Sequence, residues 1–258
     1  MPLTKAISTI DQQLLSVGRT RTGRVGFGGA YTRTSGTGAT ASASFGSGSY
    51  SINLAAGTAA ASHGKTGWYD PLETFIQGGA STIDYSKRIR FAISGVMYMA
   101  STNSKIRIVF SGTGNATDAP FANQNGLTVK GFGVEFALQS SIIQGRLIGF
   151  NSAYLTPTSY TTLTNGFGAS ASDNRFFSCM IESDGAGNIN LYAGNSSTVP
   201  NVAISPTPLL TLTGGPVNAT SSNRFGPEIQ CVNDSTAAPT SSRAAELQSF
   251  GSWLLDVQ

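Results

Sequence analysis

The acids of Glu182-Ser-Asp184-Gly-Ala186 are the pair in this sequence best spaced for chemistry. Two carboxylates two residues apart on a strand share a face, and two acids suffice to cleave a glycosidic bond. Asp184-Gly185 also read as a turn, however, which makes both acids solvated strand-end charges. His63 is the single histidine, and Cys179 and Cys231 stand far apart, so neither a zinc ligand set nor a histidine-based triad is foreshadowed. The two cysteines are either buried thiols or one disulfide, and spacing alone leaves both open. Gly64-Lys65-Thr66 ends like a phosphate-binding loop, but its upstream glycine, Gly57, is too distant and no helix pattern follows. The dinucleotide fingerprint fails at Tyr31 and again at Phe136. No catalytic residue, metal or cofactor is therefore expected, and the chain reads as a non-enzyme.

Binding has more support. Trp68, Tyr69, Tyr154, Tyr160 and Tyr192 lie in or beside expected loops, with Asn151, Asn188 and Asn195 close by in sequence. Aromatic faces and side-chain amides are what a sugar ring needs, one for stacking and the other for paired hydrogen bonds. Trp68, Tyr69, Tyr154, Tyr160, Tyr192 and Asn195 are the candidate glycan contacts. The alternative is that these aromatics are lids over the core with only their polar tips wet.

The elements that must hold these residues are strands. Apolar residues alternate with polar or small ones at 88–93, 105–110, 132–139 and 177–182. Further strands are expected near 145–150, 160–165, 209–213, 228–233 and 244–257. Residues 174–193 form the clearest hairpin, with the glycines of Asp184-Gly-Ala-Gly-Asn188 supplying the positive-φ positions of its loop. Burial on one face of many short strands predicts an all-β fold, an antiparallel β-sandwich of the jelly-roll kind. One short helix is expected at 8–17, capped by Ser8 and closed by Gly18.

Composition sets the milieu. Only 11% of the 258 residues are charged, against roughly 25% in an ordinary soluble domain. Gly, Ser and Thr together make 92 of the residues, so hydroxyls and backbone rather than charge solvate the surface. Within 31–62, 25 of 32 residues are Gly, Ser, Thr or Ala, too few large side chains for a private core. This divides the chain into an arm, 1–67, and a sandwich domain, 68–258. The arm would order on assembly by docking Ile10, Leu14, Leu15 and Phe45 against neighbours. Arg19, Arg21 and Arg24 would face the acidic half of a sister chain, being too thinly spread for a nucleic-acid arm. No apolar run is long enough to span a membrane, and Met1–Lys5 lacks the start of a secretion signal.

The strand 87–93, the strand 131–136 and the hairpin Phe177–Tyr192 with its D-G-x-G-N turn resemble the concanavalin/laminin-G type of jelly roll, over about residues 80–258. Lectin-like glycosidases of that fold carry E-x-D-x-E, and Ala186 stands where the third acid belongs. The calcium ligands of its lectins are not evident. In overall character the chain resembles tailed-bacteriophage virion structural proteins. That resemblance implies capsid decoration or a tail fibre, made in the host cytoplasm, partnered by other virion proteins and by sister subunits, with a homotrimer favoured. The alternative it implies is a receptor-binding, lectin-like module that reads bacterial surface glycans.

Overall fold

A computed structural model describes residues 29–46, 49–69, 82–113, 129–163, 175–196, 204–221, 224–240, 245–251 and 254–257. The expected helix at 8–17 lies outside them, as do Ile10, Leu14, Leu15, Arg19, Arg21 and Arg24. The architecture is all-β. In chain order the strands are β1 (Gly29–Ser35), β2 (Thr40–Gly46), β3 (Ser49–Ala55), β4 (His63–Tyr69), β5 (Thr82–Asp84) and β6 (Ile89–Met99). They continue as β7 (Ser104–Thr113), β8 (Gly131–Gln139), β9 (Ile142–Phe150), β10 (Thr161–Thr162), β11 (Arg175–Ser183) and β12 (Asn188–Ser196). The last five are β13 (Leu210–Thr213), β14 (Ala219–Ser221), β15 (Arg224–Asn233), β16 (Ala245–Gly251) and β17 (Leu254–Val257).

Two antiparallel sheets pack face to face. The seven-stranded sheet runs β1-β4-β15-β7-β8-β9-β10, and the eight-stranded one runs β13-β12-β11-β6-β16-β3-β2, with β17 also on β6. The long strand β6 takes β17 along Ile89–Ala92 and β16 along Gly95–Met99, so two chain-terminal strands share one neighbour. A separate pair joins β14 to β5. The core between the sheets is built from alternate residues, as the period of two requires. Ile106, Ile108, Phe132, Val134, Phe136, Ile229 and Cys231 come from one sheet and Ile52, Leu54, Phe91, Ile93, Phe177, Ile181, Leu191 and Leu247 from the other. Phe136 and Phe177 meet across it with ring centroids 6.2 Å apart.

Two expectations are corrected. The first is the boundary at 67/68. Strands β1 and β4 pair along their whole length, β4 pairs with β15, β2 pairs with β3, and β3 pairs with β16. Residues 29–46 and 49–67 thus contribute strands to both sheets rather than an arm, and Ile52 and Leu54 are fully buried. Phe45, expected in the arm, lies in β2 opposite Tyr50. The small residues here serve close packing. A Cβ on Gly64 of β4 would stand 2.1 Å from the Thr40 carbonyl oxygen and 2.6 Å from that of Ala55, backbone atoms of the facing sheet. The Ala/Gly/Thr/Ser connection after β3 is also held. Asn233 at the end of β15 donates to the carbonyls of Gly57 and Ala59, 3.1 and 3.0 Å, and to the Ser62 hydroxyl, 2.9 Å, while its own carbonyl accepts from Ser104 at 2.7 Å.

The second correction concerns one-sided burial. Central strands are covered on both faces: β8 is buried at every position from Gly131 to Leu138. Its outward positions are Gly131, Gly133, Glu135 and Ala137, three small residues and one acid that is paired. On β8 the outward residues are thus small or ion-paired rather than solvated.

The 174–193 hairpin forms as β11 and β12. Asp184 organises its turn, accepting the Ala186 and Asn188 amides at 2.8 and 2.9 Å and the Asn188 side chain at 2.6 Å. Gly185 takes φ +84°, and a Cβ there would press 2.4 Å from the Ser86 carbonyl oxygen. Both cysteines are free and buried, Cys179 on β11 and Cys231 on β15, and burial pushes both thiols well above the usual range. Native protein should therefore show no fast reaction with a thiol-specific chromogenic disulfide, and two thiols should titrate after denaturation. One fast-reacting thiol in the native state would contradict this core.

Candidate functional site

Strand register on the seven-stranded sheet assembles a row that no local sequence pattern announces. On its outer face Arg33 of β1 stands opposite Lys65 of β4, Lys65 opposite Gln230 of β15, and Gln230 opposite Arg107 of β7. Arg107 then faces Glu135 of β8, and Glu135 faces Arg146 of β9. Tyr160 follows, just ahead of the two-residue strand β10 that pairs with β9. Directly opposed residues on neighbouring strands share a face, so these side chains form one line across the sheet.

Glu135 is the hinge of this row. Its Oε2 accepts Arg107 Nε–H at 2.7 Å; its Oε1 accepts Arg146 Nε–H at 2.8 Å, Arg146 Nη2–H at 2.7 Å and the Tyr160 hydroxyl at 2.6 Å. Burial opposes the charge on Glu135, yet Arg107, Arg146, the Tyr160 hydroxyl and Lys105 together bring its carboxyl down to about 2. The Arg146 guanidinium lies over the Tyr160 ring, 4.5 Å from the centroid, a cation–π contact that flattens both groups against the sheet. Burial and the neighbouring Glu135 push the Tyr160 phenol well up, so it stays a neutral donor. Tyr154 completes the cluster. Its backbone bridges Phe150 at the end of β9, and its ring is 39% exposed, the exposed large hydrophobic side chain among the described residues. It lies close enough to feel Glu135, Arg146 and Arg107, and burial with Glu135 raises its phenol.

The other end of the row is basic. Burial lowers Lys65, with Glu228 opposing and Arg33 adding to the fall. His63, one row further along β4, is lowered by burial and by Lys65, which keeps it neutral at neutral pH. Gly64-Lys65-Thr66 is therefore strand and no phosphate loop.

The outer face of the eight-stranded sheet carries a parallel arrangement. Glu182 of β11 accepts Arg90 Nε–H at 2.5 Å, Asn190 Nδ2–H at 2.9 Å and the Tyr192 hydroxyl at 3.1 Å. Tyr192 packs against Ala92, Met180 and Ile204, and burial with Glu182 pushes its phenol up to about 12. The row Thr211–Asn190–Glu182–Arg90–Asp256 sets two acids against one base and, among the described residues, has no exposed aromatic. With Glu182 held by three donors and Asp184 by its own turn, neither acid of the 182–186 stretch is free to act as a glycosidase carboxylate.

The structure thus separates the six candidate glycan contacts. Tyr154 and Tyr160 come together with Arg146 on one sheet, and Tyr192 lies on the opposite outer surface. Asn195 is fully buried, opposite Phe177 on the core side of β12. Trp68 and Tyr69 end β4, paired with Ala30 and Gly29. Arg146, Glu135 and Arg107, absent from the sequence-derived set, prove central. Their signal was a charged residue at the outward position of three strands, visible only once the strands are in register. Among the described residues no group of three or more His, Cys, Asp or Glu could hold a metal ion.

No family model matches the chain, and no curated protein matches it. Solved structures do. Lectin I-B4 of Griffonia simplicifolia, in its metal-free form, superposes over 92% of this chain and 97% of its own with a TM-score of 0.50 at 10% identity. The chain is a lectin-type β-sandwich. Lectin II of Ulex europaeus covers 93% of this chain and 96% of its own, TM-score 0.47, 8% identity. The lumenal domain of VIP36, solved with calcium and Man3GlcNAc, covers 88% and 84%, TM-score 0.44, 8% identity. At these identities the likeness concerns the fold.

Proposed function

We propose that this chain is a non-enzymatic glycan-binding module whose ligand lies against Tyr154 and Arg146 at the β9–β10 end of the seven-stranded sheet. One observation carries the reading: Tyr154, the exposed large aromatic among the described residues, lies within electrostatic reach of a guanidinium already engaged by a carboxylate and a second ring. Sugar rings stack on aromatic faces and accept hydrogen bonds from planar donors, and a donor held before binding loses little entropy on binding. The engagement of Glu182 and Asp184 within the sheet and turn supports binding over hydrolysis. The integration of residues 29–67 into both sheets removes most of the arm on which the capsid-decoration reading depended. Display on a virion surface among sister subunits remains the proposed setting, supported by the low charge and hydroxyl-rich composition; the binding reading does not depend on it.

Glycan-array and titration measurements on the full chain test this. Tyr154→Ala should leave the unfolding midpoint nearly unchanged, because the ring is exposed, and should weaken glycan binding about tenfold or more. A wild-type chain that retains no glycan, or a Tyr154→Ala chain that binds as wild type does, would overturn the site.

A further inference from the structure

The row across the seven-stranded sheet is unbalanced in charge. Arg33, Lys65, Arg107 and Arg146 face a single acid, Glu135. The flanking positions do not restore the balance: Glu228 of the neighbouring row adds one acid, and Lys105 is already paired with Asp234 at 2.7 Å. The matching row on the other sheet holds two acids, Glu182 and Asp256, against one base, Arg90, so the basic excess is a property of this face and not of the chain as a whole.

The imbalance is sharpest at Arg146. Glu135, the acid it meets among the described residues, also serves Arg107, whose side chain is 2% exposed and takes the other carboxylate oxygen. One carboxylate thus engages both guanidiniums. Arg146 spends Nε and Nη2 on Glu135 Oε1, and its side chain is 27% exposed. Its remaining edge is a charged donor within electrostatic reach of the exposed Tyr154, on a face whose buried cations add to the potential there. A neutral sugar would satisfy the ring and leave that charge unmatched. A carboxylate would satisfy both, since charge-assisted hydrogen bonds from a planar guanidinium are the strong ones.

We infer that the glycan is acidic: the site takes a saccharide bearing a ring carboxylate, with the sugar face on Tyr154 and the carboxylate on Arg146. This rests on the glycan-binding reading above and narrows it.

Titration of the full chain with three polymers of similar length tests the inference: polygalacturonate, neutral dextran and dextran sulfate. Polygalacturonate should bind at least about tenfold more tightly than dextran. Raising salt from about 0.05 to about 0.5 M should weaken polygalacturonate binding severalfold and leave any dextran binding unchanged. Arg146→Gln should cut the preference for polygalacturonate over dextran to near unity, and Arg146→Lys should recover part of it. Since Arg146→Gln also loosens Glu135, Tyr154→Ala, which leaves that ion pair in place, serves as a second variant. It should weaken polygalacturonate binding about tenfold or more. Equal binding of dextran and polygalacturonate would overturn the acidic assignment and leave the glycan reading standing. Binding of dextran sulfate alone would overturn the carboxylate in favour of a sulfate ester. Binding of none of the three would overturn this inference, while the glycan array decides the broader reading independently.

Discussion

Glu135→Gln is expected to destabilise the domain by about 3 to 5 kcal/mol, because it leaves Arg107 buried without its carboxylate. A lost surface ion pair would cost no more than about 1 kcal/mol, so the size of the effect separates a buried network from decoration. Urea unfolding monitored by far-UV circular dichroism gives the number, and the thermal midpoint should fall by roughly 10 °C for a domain of this size. The pH dependence supplies a second check. The Glu135 carboxyl is depressed from the ordinary glutamate value of 4.5 to about 2 by its guanidinium and hydroxyl partners. Its contribution is therefore complete above about 4.5 and is lost as pH falls through about 2, roughly 3 kcal/mol in all. The stability gap between wild type and Glu135→Gln should narrow over that window and stay constant from pH 5 to 7. A gap under about 1 kcal/mol at neutral pH, or one that widens in acid, would contradict the role assigned to Glu135.

Removal of residues 1–67 should abolish cooperative unfolding. The deletion takes β1 and β4 from one sheet and β2 and β3 from the other, along with the buried Ile52 and Leu54. It uncovers β15 and β16 along edges that are paired in the intact chain, and exposed apolar edges associate with one another. The shortened chain should bind a hydrophobic dye, aggregate and show no sigmoidal denaturant transition. Gly64→Ala probes the same seam without deleting anything. Its Cβ would meet two backbone carbonyl oxygens of the facing sheet, and a cost of about 3 kcal/mol is expected because backbone cannot swing away as a side chain can. A 68–258 fragment that unfolds cooperatively with an undiminished m-value would show that 29–67 is an appendage after all.

The arm reading failed for a physical reason. A stretch of Gly, Ser, Thr and Ala looks like a linker because it has little to bury on its own. Where two sheets converge at one end of a sandwich, however, small residues are what permit the approach, and Ala41 and Ala43 pack on the core from β2. The alternation of Phe45, Tyr50, Ile52 and Leu54 was the visible trace of these strands. Asn233, which holds the connection after β3, gives no sign of that role in sequence, because its partners lie more than 170 residues away.

The sequence by itself determined most strands from β6 onward, though not β14 nor the division of 244–257 into β16 and β17, together with the β11–β12 hairpin with its glycine-dependent turn and the sandwich class. Each depends on local periodicity or on backbone conformations that one residue type favours. Only the tertiary structure decided which charges meet. Arg107, Glu135 and Arg146 are spread over 40 positions and acquire a common face through the register of three strands. The pairing of β10 with β9 places Tyr160 under Arg146, while the β11–β12 register turns Tyr192 to the outer surface of the other sheet and Asn195 into the core. A one-residue slip on β8 would turn Glu135 inward and Phe136 outward. The ion network and the hydrophobic core therefore specify that register together, and neither can be read from a single strand.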